Sequence, residues 1–255
     1  MSASSGAARP REGGWRAAVD SLDDALRAAG NAERAVQERR YLKSALQHHG
    51  TSVPATRRVL KAWRAALPAF DRSTLRGFVD EAWPRGVFEL RLAAVEQLVA
   101  ETELLTPADL AWLERLLSEA RTWALVDPLA VQVVGVLLEA HPESASEVRR
   151  WAADPDFWLR RSALLVHLLP MRRGDAAAFA RFAAVAEPLL EEREFFVRKA
   201  IGWVLRERAK RCPEEVFDWL LPRARRSSGL TLREASKPLG EERRASLLAA
   251  SRAPG

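Results

Sequence analysis

The chain has 255 residues, 48% of them hydrophobic and 29% charged, and this composition excludes a chain that is disordered throughout its length. Its formal net charge is +6, and its single cysteine, Cys212, excludes an internal disulfide framework and a cysteine-based structural zinc site. The histidines at 48, 49, 141 and 167 show no metal-ligand spacing. We therefore expect no metal and no organic cofactor.

Residues 1–13 lack the apolar centre of a signal peptide, and we expect them to form a flexible leader. No run of 18 apolar residues is present, which predicts a protein that does not cross a membrane. No linker-like composition interrupts residues 14–250, so this region is predicted to form one domain. The sequence gives no sign of oligomerisation, and we expect a cytoplasmic monomer.

Helical periodicity runs through residues 14–250, with apolar residues at i, i+3, i+4 and i+7. Strand signals are nearly absent, and prolines stand at helix starts, as at Pro107, Pro155 and Pro213. Helices are predicted over residues 15–29, 31–47, 54–66, 70–82, 87–101, 107–119, 122–139, 142–152, 156–170, 174–190, 195–211, 213–221, 229–236 and 240–250. The short connectors predict an all-α fold, an α-solenoid of antiparallel HEAT-like repeats with a concave face.

Trp123 and Asp127 are four residues apart and therefore share one face of a predicted helix. A carboxylate beside an indole is a poor core pair, but the two groups together can hold a cation in a cleft. The structural alternative is that Asp127 caps a helix beginning at Pro128, beside a buried Trp123. The spacing alone leaves both interpretations open.

A second segment, Asp156–Leu164, begins a helix with two consecutive arginines. Phe157 or Trp158 is expected to anchor this helix in the core. Arg161 is then free to point into a groove.

Basic charge is concentrated towards the end of the chain, where Phe195–Gly255 contains 14 basic and 7 acidic residues. Lys199, Trp203 and Arg206 form a stripe at i, i+4 and i+7, which Lys210 extends. Cations interleaved with an aromatic ring suit a phosphate backbone with an adjacent base or sugar. The alternative is a helix whose Trp203 packs inward while its cations extend into solvent.

Gly202 lies inside the same predicted helix, where glycine costs about 1 kcal/mol relative to alanine. Its presence predicts the close approach of another group to this helix.

Three segments, FWLRRSALL (157–165), EFFVRKAIGWVLRERAK (194–210) and LTLREASK (230–237), resemble the AlkD-like DNA alkylation-repair glycosylases, which are built of HEAT-like repeats. TWALVD (122–127) keeps the aromatic and the acid at the family spacing. Residues 41–43 and 54–58 resemble the amino-terminal helices of that family. The resemblance covers about residues 35–238.

The resemblance implies an enzyme that removes cationic alkylated purines, chiefly 3-methyladenine and 7-methylguanine, from duplex DNA by cutting the N-glycosidic bond. Asp127 matches the catalytic carboxylate, and Trp123 and Trp203 match the two aromatics that flank the damaged nucleotide. Arg161 matches a basic residue at the DNA backbone, and Arg58, Arg206 and Lys210 fall on positions that resemble further backbone contacts. Tyr41 and Lys199 are the other two predicted DNA contacts. The implied partner is double-stranded DNA bound on the concave face, at the nucleoid of a bacterial cell, with no metal or cofactor.

The chain departs from the family pattern at positions near the expected lesion. Thr122 and Ala124 replace aromatic and acidic residues, and Ser52 stands where a longer amide is frequent. His48 and His49 replace an apolar pair. These departures concern lesion preference, so a simple methyl lesion and a bulky N3 or N7 adduct both stay open.

Two functions of other classes also fit the composition. One is a non-catalytic HEAT-repeat protein that binds bent or branched DNA. The pair Trp123 and Asp127 argues against it, because a carboxylate hinders binding to a phosphate backbone. The other is a protein–protein scaffold, a frequent use of helical repeats, against which the basic carboxy-terminal region argues.

Overall fold

The computed structural model describes residues 14–252, and these residues form helices joined by short connectors, with no strand among them. One isolated bridge pairs Gln47 with Val87. The all-α fold class is thus confirmed. The α-helices are α1 Trp15–Ala28, α2 Ala32–Leu42, α3 Val53–Ala65, α4 Arg72–Ala82, α5 Phe88–Ala100, α6 Leu110–Ala120, α7 Trp123–Pro128, α8 Gly135–Ala140, α9 Ala145–Arg150, α10 Phe157–Leu165, α11 Leu168–Arg173, α12 Ala176–Ala186, α13 Phe195–Ala209, α14 Pro213–Leu220, α15 Gly229–Ala235 and α16 Glu241–Ala250.

The predicted helix over 31–47 is wrong over residues 43–47, because α2 ends at Leu42. Lys43 adopts the left-handed conformation at φ 49°, which terminates the helix. The chain then becomes extended, and the Gln47 N–H donates to the Gly86 carbonyl at 2.9 Å. Residues 43–52 therefore form a connector that is bonded to the start of α5.

The predicted helix over 156–170 is divided into α10 and α11. Pro170 explains the division, since its ring clashes with the carbonyl four residues earlier, at Val166, and it has no N–H to donate. The helix predicted over 122–139 is continuous but contains a π-helical turn, Leu129–Val134. This turn follows Pro128, which again removes one N–H from the helical ladder.

The chain divides into two compact units. Unit 1 comprises the described residues up to Thr106 together with 120–125, and unit 2 comprises 107–119 and the described residues from Val126 onwards. The prediction of a single domain over 14–250 stays a prediction. In unit 1, α1, α3, α4 and α5 pack together around Leu22, Phe78 and Trp83, which are fully buried.

In unit 2 the helices stack at a regular spacing. The π-helical turn packs against α10, α10 against α13, and α13 against α15. Helices α10, α13 and α15 begin at residues 157, 195 and 229. This spacing of about 35 residues is typical of helical repeats. The helices that lie between them in the sequence also contact this series: α12 contacts α10, and α14 contacts α13.

The helical run Trp123–Ala140 is long and apolar enough to cross a membrane by composition, although half of it is buried inside the protein. A core helix passes the same test, and this run carries Asp127. The absence of a membrane interaction stays a prediction.

Candidate catalytic and DNA-binding residues

Asp127 of α7 forms a bidentate ion pair with Arg161 of α10, within unit 2. The Arg161 Nε donates to Oδ1 and its Nη2 donates to Oδ2, both at 2.8 Å. The arginine side chain is 4% exposed and the carboxylate side chain 14% exposed. Two parallel charge-assisted hydrogen bonds fix the plane of the carboxylate, and the side chain keeps some exposure to solvent.

The Phe196 carbonyl holds the other side of the guanidinium. Arg161 Nη1 donates to this oxygen at 2.6 Å, and Phe196 lies in the first turn of α13. Three elements, α7, α10 and α13, therefore define the position of the carboxylate. Sequence reasoning missed the carbonyl, because a backbone acceptor has no signature in the residue types.

Two expectations about this pair are wrong. Arg161 does not point freely into a groove, since it is buried and bonded to Asp127 and Phe196. Asp127 is not a helix cap either, because α7 continues through Pro128 into the π-helical turn. The carboxylate instead leaves the side of a continuous helix, and Arg161 satisfies its charge.

Trp123 is half-buried at the start of α7, in the part of the chain that belongs to unit 1. The Tyr41 ring contacts its indole edge-on, with 6.1 Å between ring centroids and 85° between planes. Tyr41 itself is 74% exposed at the end of α2. The structure thus brings together two of the predicted site residues in an accessible aromatic pair.

The cationic stripe of α13 lies on the accessible side of that helix. Lys199 and Lys210 are exposed, and Trp203 and Arg206 are half-buried. Trp203 is therefore not the fully buried core residue of the alternative interpretation. The Lys199 Nζ lies 5.7 Å from the centroid of the Phe195 ring, a neighbour that the sequence stripe did not include.

Two carboxylates hold part of this stripe. Arg206 donates to Glu234 at 2.6 Å, and Lys210 donates to Glu207 at 2.8 Å. Burial opposes ionisation of Glu207, but the hydrogen bonds from Lys210 and Arg172 keep its pKa below the ordinary value. Burial also opposes ionisation of Glu234. Its pKa is nevertheless lowered by Lys237, Arg206 and Lys199. Among the described residues, Lys199 makes no hydrogen bond to a carboxylate.

Gly202 explains how α15 approaches α13. A Cβ at this position would stand 2.6 Å from the Glu234 Cβ and 3.0 Å from the Thr231 carbonyl oxygen. Gly202 predicted the close approach of another group to α13, and that group is α15. Arg58, the remaining predicted DNA contact, is exposed on α3 in unit 1.

The model of the family described as DNA alkylation repair enzymes matches residues 22–239. The chain belongs to this family. No curated protein sequence matches it. Among solved structures, it is similar to a "Predicted DNA alkylation repair enzyme from Enterococcus faecalis", with a TM-score of 0.72 and 21% identity over 83% of this chain and 97% of that one.

A second similar structure is the Pseudomonas fluorescens alkylpurine DNA glycosylase AlkC, bound to DNA that contains an abasic site analogue. Its TM-score is 0.54, with 15% identity over 95% of this chain and 69% of that one. At these identities the two likenesses establish the helical fold that this family member shares with them. The roles of individual residues stay predictions.

Proposed function

We propose that this family member is a monofunctional DNA glycosylase of the AlkD-like type, which hydrolyses the N-glycosidic bond of cationic alkylated purines in duplex DNA. The observation that carries the proposal is the Asp127 carboxylate, which Arg161 and the Phe196 carbonyl hold in place while the side chain stays 14% exposed. A stabiliser of positive charge needs this combination of fixed orientation and access.

The leaving group determines what the protein must supply. A 3-methyladenine or 7-methylguanine base already carries positive charge, so its departure needs no general acid. Departure leaves an oxocarbenium-like sugar, and a carboxylate held in place beforehand stabilises the developing charge. Asp127 can also accept a hydrogen bond from the attacking water and orient it.

Arg161 is a positioning residue in this mechanism. Its Nε and both Nη atoms each donate one bond within the protein, and a guanidinium has five donors in total. Two N–H groups remain, which a DNA phosphate can approach only if neighbouring side chains yield, because the side chain is 4% exposed. The first role of Arg161 is thus to orient Asp127, and a DNA contact comes second.

Trp123 and Trp203 each supply an indole face to the cationic nucleotide. A cation beside such a face gains about 0.5–2 kcal/mol, depending on how far water is excluded. Both indoles are half-buried, so each ring is anchored in its unit and still accessible. Tyr41 supports Trp123 from the side.

The first experiment is release of free 7-methylguanine from methylated duplex DNA by the wild type and by Asp127→Asn. We expect release by the wild type and a loss of about 10²–10³-fold in the variant, the usual effect of removing one electrostatic stabiliser. Asp218→Asn, at an exposed aspartate on α14, is the matched control and should retain the full rate.

The circular dichroism spectrum and the DNA affinity of Asp127→Asn must equal those of the wild type. A lower excision rate is then not caused by unfolding of the variant. Full activity of Asp127→Asn would refute the catalytic assignment. If the wild type releases no methylated purine from any substrate, including bulky N3 and N7 adducts, and binds branched DNA in preference to duplex, the chain is the non-catalytic DNA-binding alternative.

A further inference from the structure

One imidazole and two carboxylates converge in unit 1, and none of the three residues is among those assigned to DNA. They are Glu38 of α2, His48 of the following connector and Glu89 in the first turn of α5. One potential ligand atom from each lies within 4.8 Å of the other two. The residues are distant in sequence, which is why a search for ligand spacing along the chain did not find them.

The His48 ring is buried and incompletely bonded. Its side chain is 1% exposed and stacks on Phe88 at 4.6 Å between ring centroids, with 12° between planes. Nδ1 lies 3.4 Å from the Glu38 Oε2, whereas Nε2 is buried without a hydrogen-bond partner in the described structure. Nδ1 is thus the ring nitrogen that faces a carboxylate, and a cation bound between Nδ1 and Glu38 takes the place of the proton that this contact shares.

Glu89 is a fully buried carboxylate held by backbone amides. Its Oε1 accepts from the N–H groups of His49, Gly50 and Thr51 at 3.0, 2.7 and 3.1 Å. Its Oε2 accepts only from the His49 N–H among the described groups, at 3.0 Å. Oε2 therefore keeps capacity for a further partner, and within residues 14–252 Glu89 pairs with no basic side chain.

We propose that Glu38, His48 and Glu89 bind a divalent cation, with Zn²⁺ as the best fit. A set of one imidazole and two carboxylates suits Zn²⁺, whereas Mg²⁺ prefers oxygen ligands and keeps its waters. Two partly or fully buried carboxylates supply the negative charge, and the lone pair of His48 supplies the nitrogen. Small shifts of the side chains bring the ligand atoms to coordination distance.

The site connects a loosely packed helix to the rest of unit 1. Leu42 is the buried residue of α2, and the remainder of this helix is exposed or half-buried. A cation held by Glu38 and Glu89 links α2 to α5 directly. Because Tyr41 is three residues after Glu38 on the same helix, the cation also fixes Tyr41 beside Trp123, a consequence that rests on the proposed function.

The test is calorimetric titration of chelator-treated protein with Zn²⁺ in the absence of DNA. We expect about one ion per chain, and a loss of affinity of about 10–100-fold or more in Glu38→Gln and in His48→Gln, as ligand-shell substitutions give. His141→Gln is the matched control, because His141 Nδ1 lies 3.3 Å from Glu143 in an exposed pair. It should leave the affinity unchanged.

Absence of binding by the wild type, or equal affinity in all variants, would overturn the proposal. Thermal melting guards against unfolded variants, because Zn²⁺ should raise the Tm of the wild type and of His141→Gln but not that of folded His48→Gln. Glu38→Gln, at a partly exposed helix position, is the second variant if His48→Gln does not fold. None of these readouts involves base excision, so they stay informative if the glycosylase proposal fails.

Discussion

Arg161 and Lys199 are both predicted DNA contacts, but the first is buried in the structure and the second is exposed. Arg161 is 4% exposed, and its guanidinium makes three bonds within unit 2. Lys199 is exposed, lies near an aromatic ring and makes no hydrogen bond to a carboxylate among the described residues, although its charge contributes to the lowered pKa of Glu234. A cation that is bonded inside the protein fixes the positions of the site residues, whereas a cation that faces solvent can bind a phosphate.

This contrast predicts that the two groups of cations control different observables. Loss of the buried Arg161 should act first on folding stability and on the position of Asp127. Loss of an exposed cation should act on DNA affinity and on its dependence on salt, because each phosphate contact releases counterions. A basic side chain thus reports on structure at one position and on binding at the other.

The largest effect is expected for Arg161→Ala. It leaves Asp127, 14% exposed, without its partner, and breaking such a pair costs about 3 kcal/mol, the lower end of the range for buried pairs, because Asp127 keeps some solvent exposure. Urea unfolding at pH 7 measures this loss. Excision should also fall, because the carboxylate loses its fixed orientation.

Two variants sharpen the interpretation of that result. Arg161→Lys keeps the charge but not the two parallel hydrogen bonds, so it should recover about half of the stability. Arg150→Ala removes an exposed cation paired with Glu114 and Glu147, and it should cost less than about 1 kcal/mol. If Arg161→Ala costs no more than Arg150→Ala, the buried pair does not stabilise the site.

The sequence predicted most helices because periodicity and proline position act locally. It placed Trp123 and Asp127 on one helix and recognised from Gly202 that another element approaches α13. It could not predict that Arg161 turns inward, because that depends on the Phe196 carbonyl and on the distance between α7 and α10. It also missed the end of α2 at Leu42, because the connector is fixed by long-range bonds to Gly86 and Glu89.

The contrast between buried and exposed groups extends to the histidines. Burial lowers the pKa of His167 to about 4, with Arg181 and Arg149 adding repulsion, whereas an unfolded histidine titrates near 6.5. Between these values the unfolded chain binds a proton that the folded chain does not, so stability falls as the pH decreases from 6.5 to 4. The loss at pH 4 amounts to about 2–3 kcal/mol.

His167→Gln should remove that part of the pH dependence, as urea unfolding between pH 4 and pH 7 measures. His141→Gln, at a more exposed histidine, should leave the slope unchanged. Acidic residues with lowered pKa values contribute to acid sensitivity in every variant, so the difference in slope is the informative quantity. Equal slopes for wild type and His167→Gln would show that His167 is protonated in the folded state.

A smaller effect is expected for Gly202→Ala, which tests how α15 supports the stripe. The new Cβ meets the Glu234 Cβ at 2.6 Å and the Thr231 carbonyl oxygen at 3.0 Å, so α13 and α15 must separate. Overpacking of this kind costs about 1–3 kcal/mol and outweighs the gain in helix propensity of about 1 kcal/mol. Gly240→Ala, where the added atom meets nothing within 4 Å in the described structure, is the control in thermal unfolding. An unchanged Tm for Gly202→Ala would mean that the two helices separate at little cost.

The smallest expected effect is a difference between exposed cations in how they change the salt dependence of DNA affinity. Lys199→Ala should reduce the slope of log affinity against log salt by about 0.9, the contribution of one phosphate contact. Lys210→Ala should reduce it less, because Glu207 already neutralises this lysine through a hydrogen bond of 2.8 Å. Fluorescence anisotropy with a duplex at several salt concentrations measures both slopes, with Arg150→Ala as the unaffected control. If Lys199→Ala and Arg150→Ala behave alike, Lys199 does not contact the backbone, and the phosphate contacts must come from other residues such as Arg58 or Arg206.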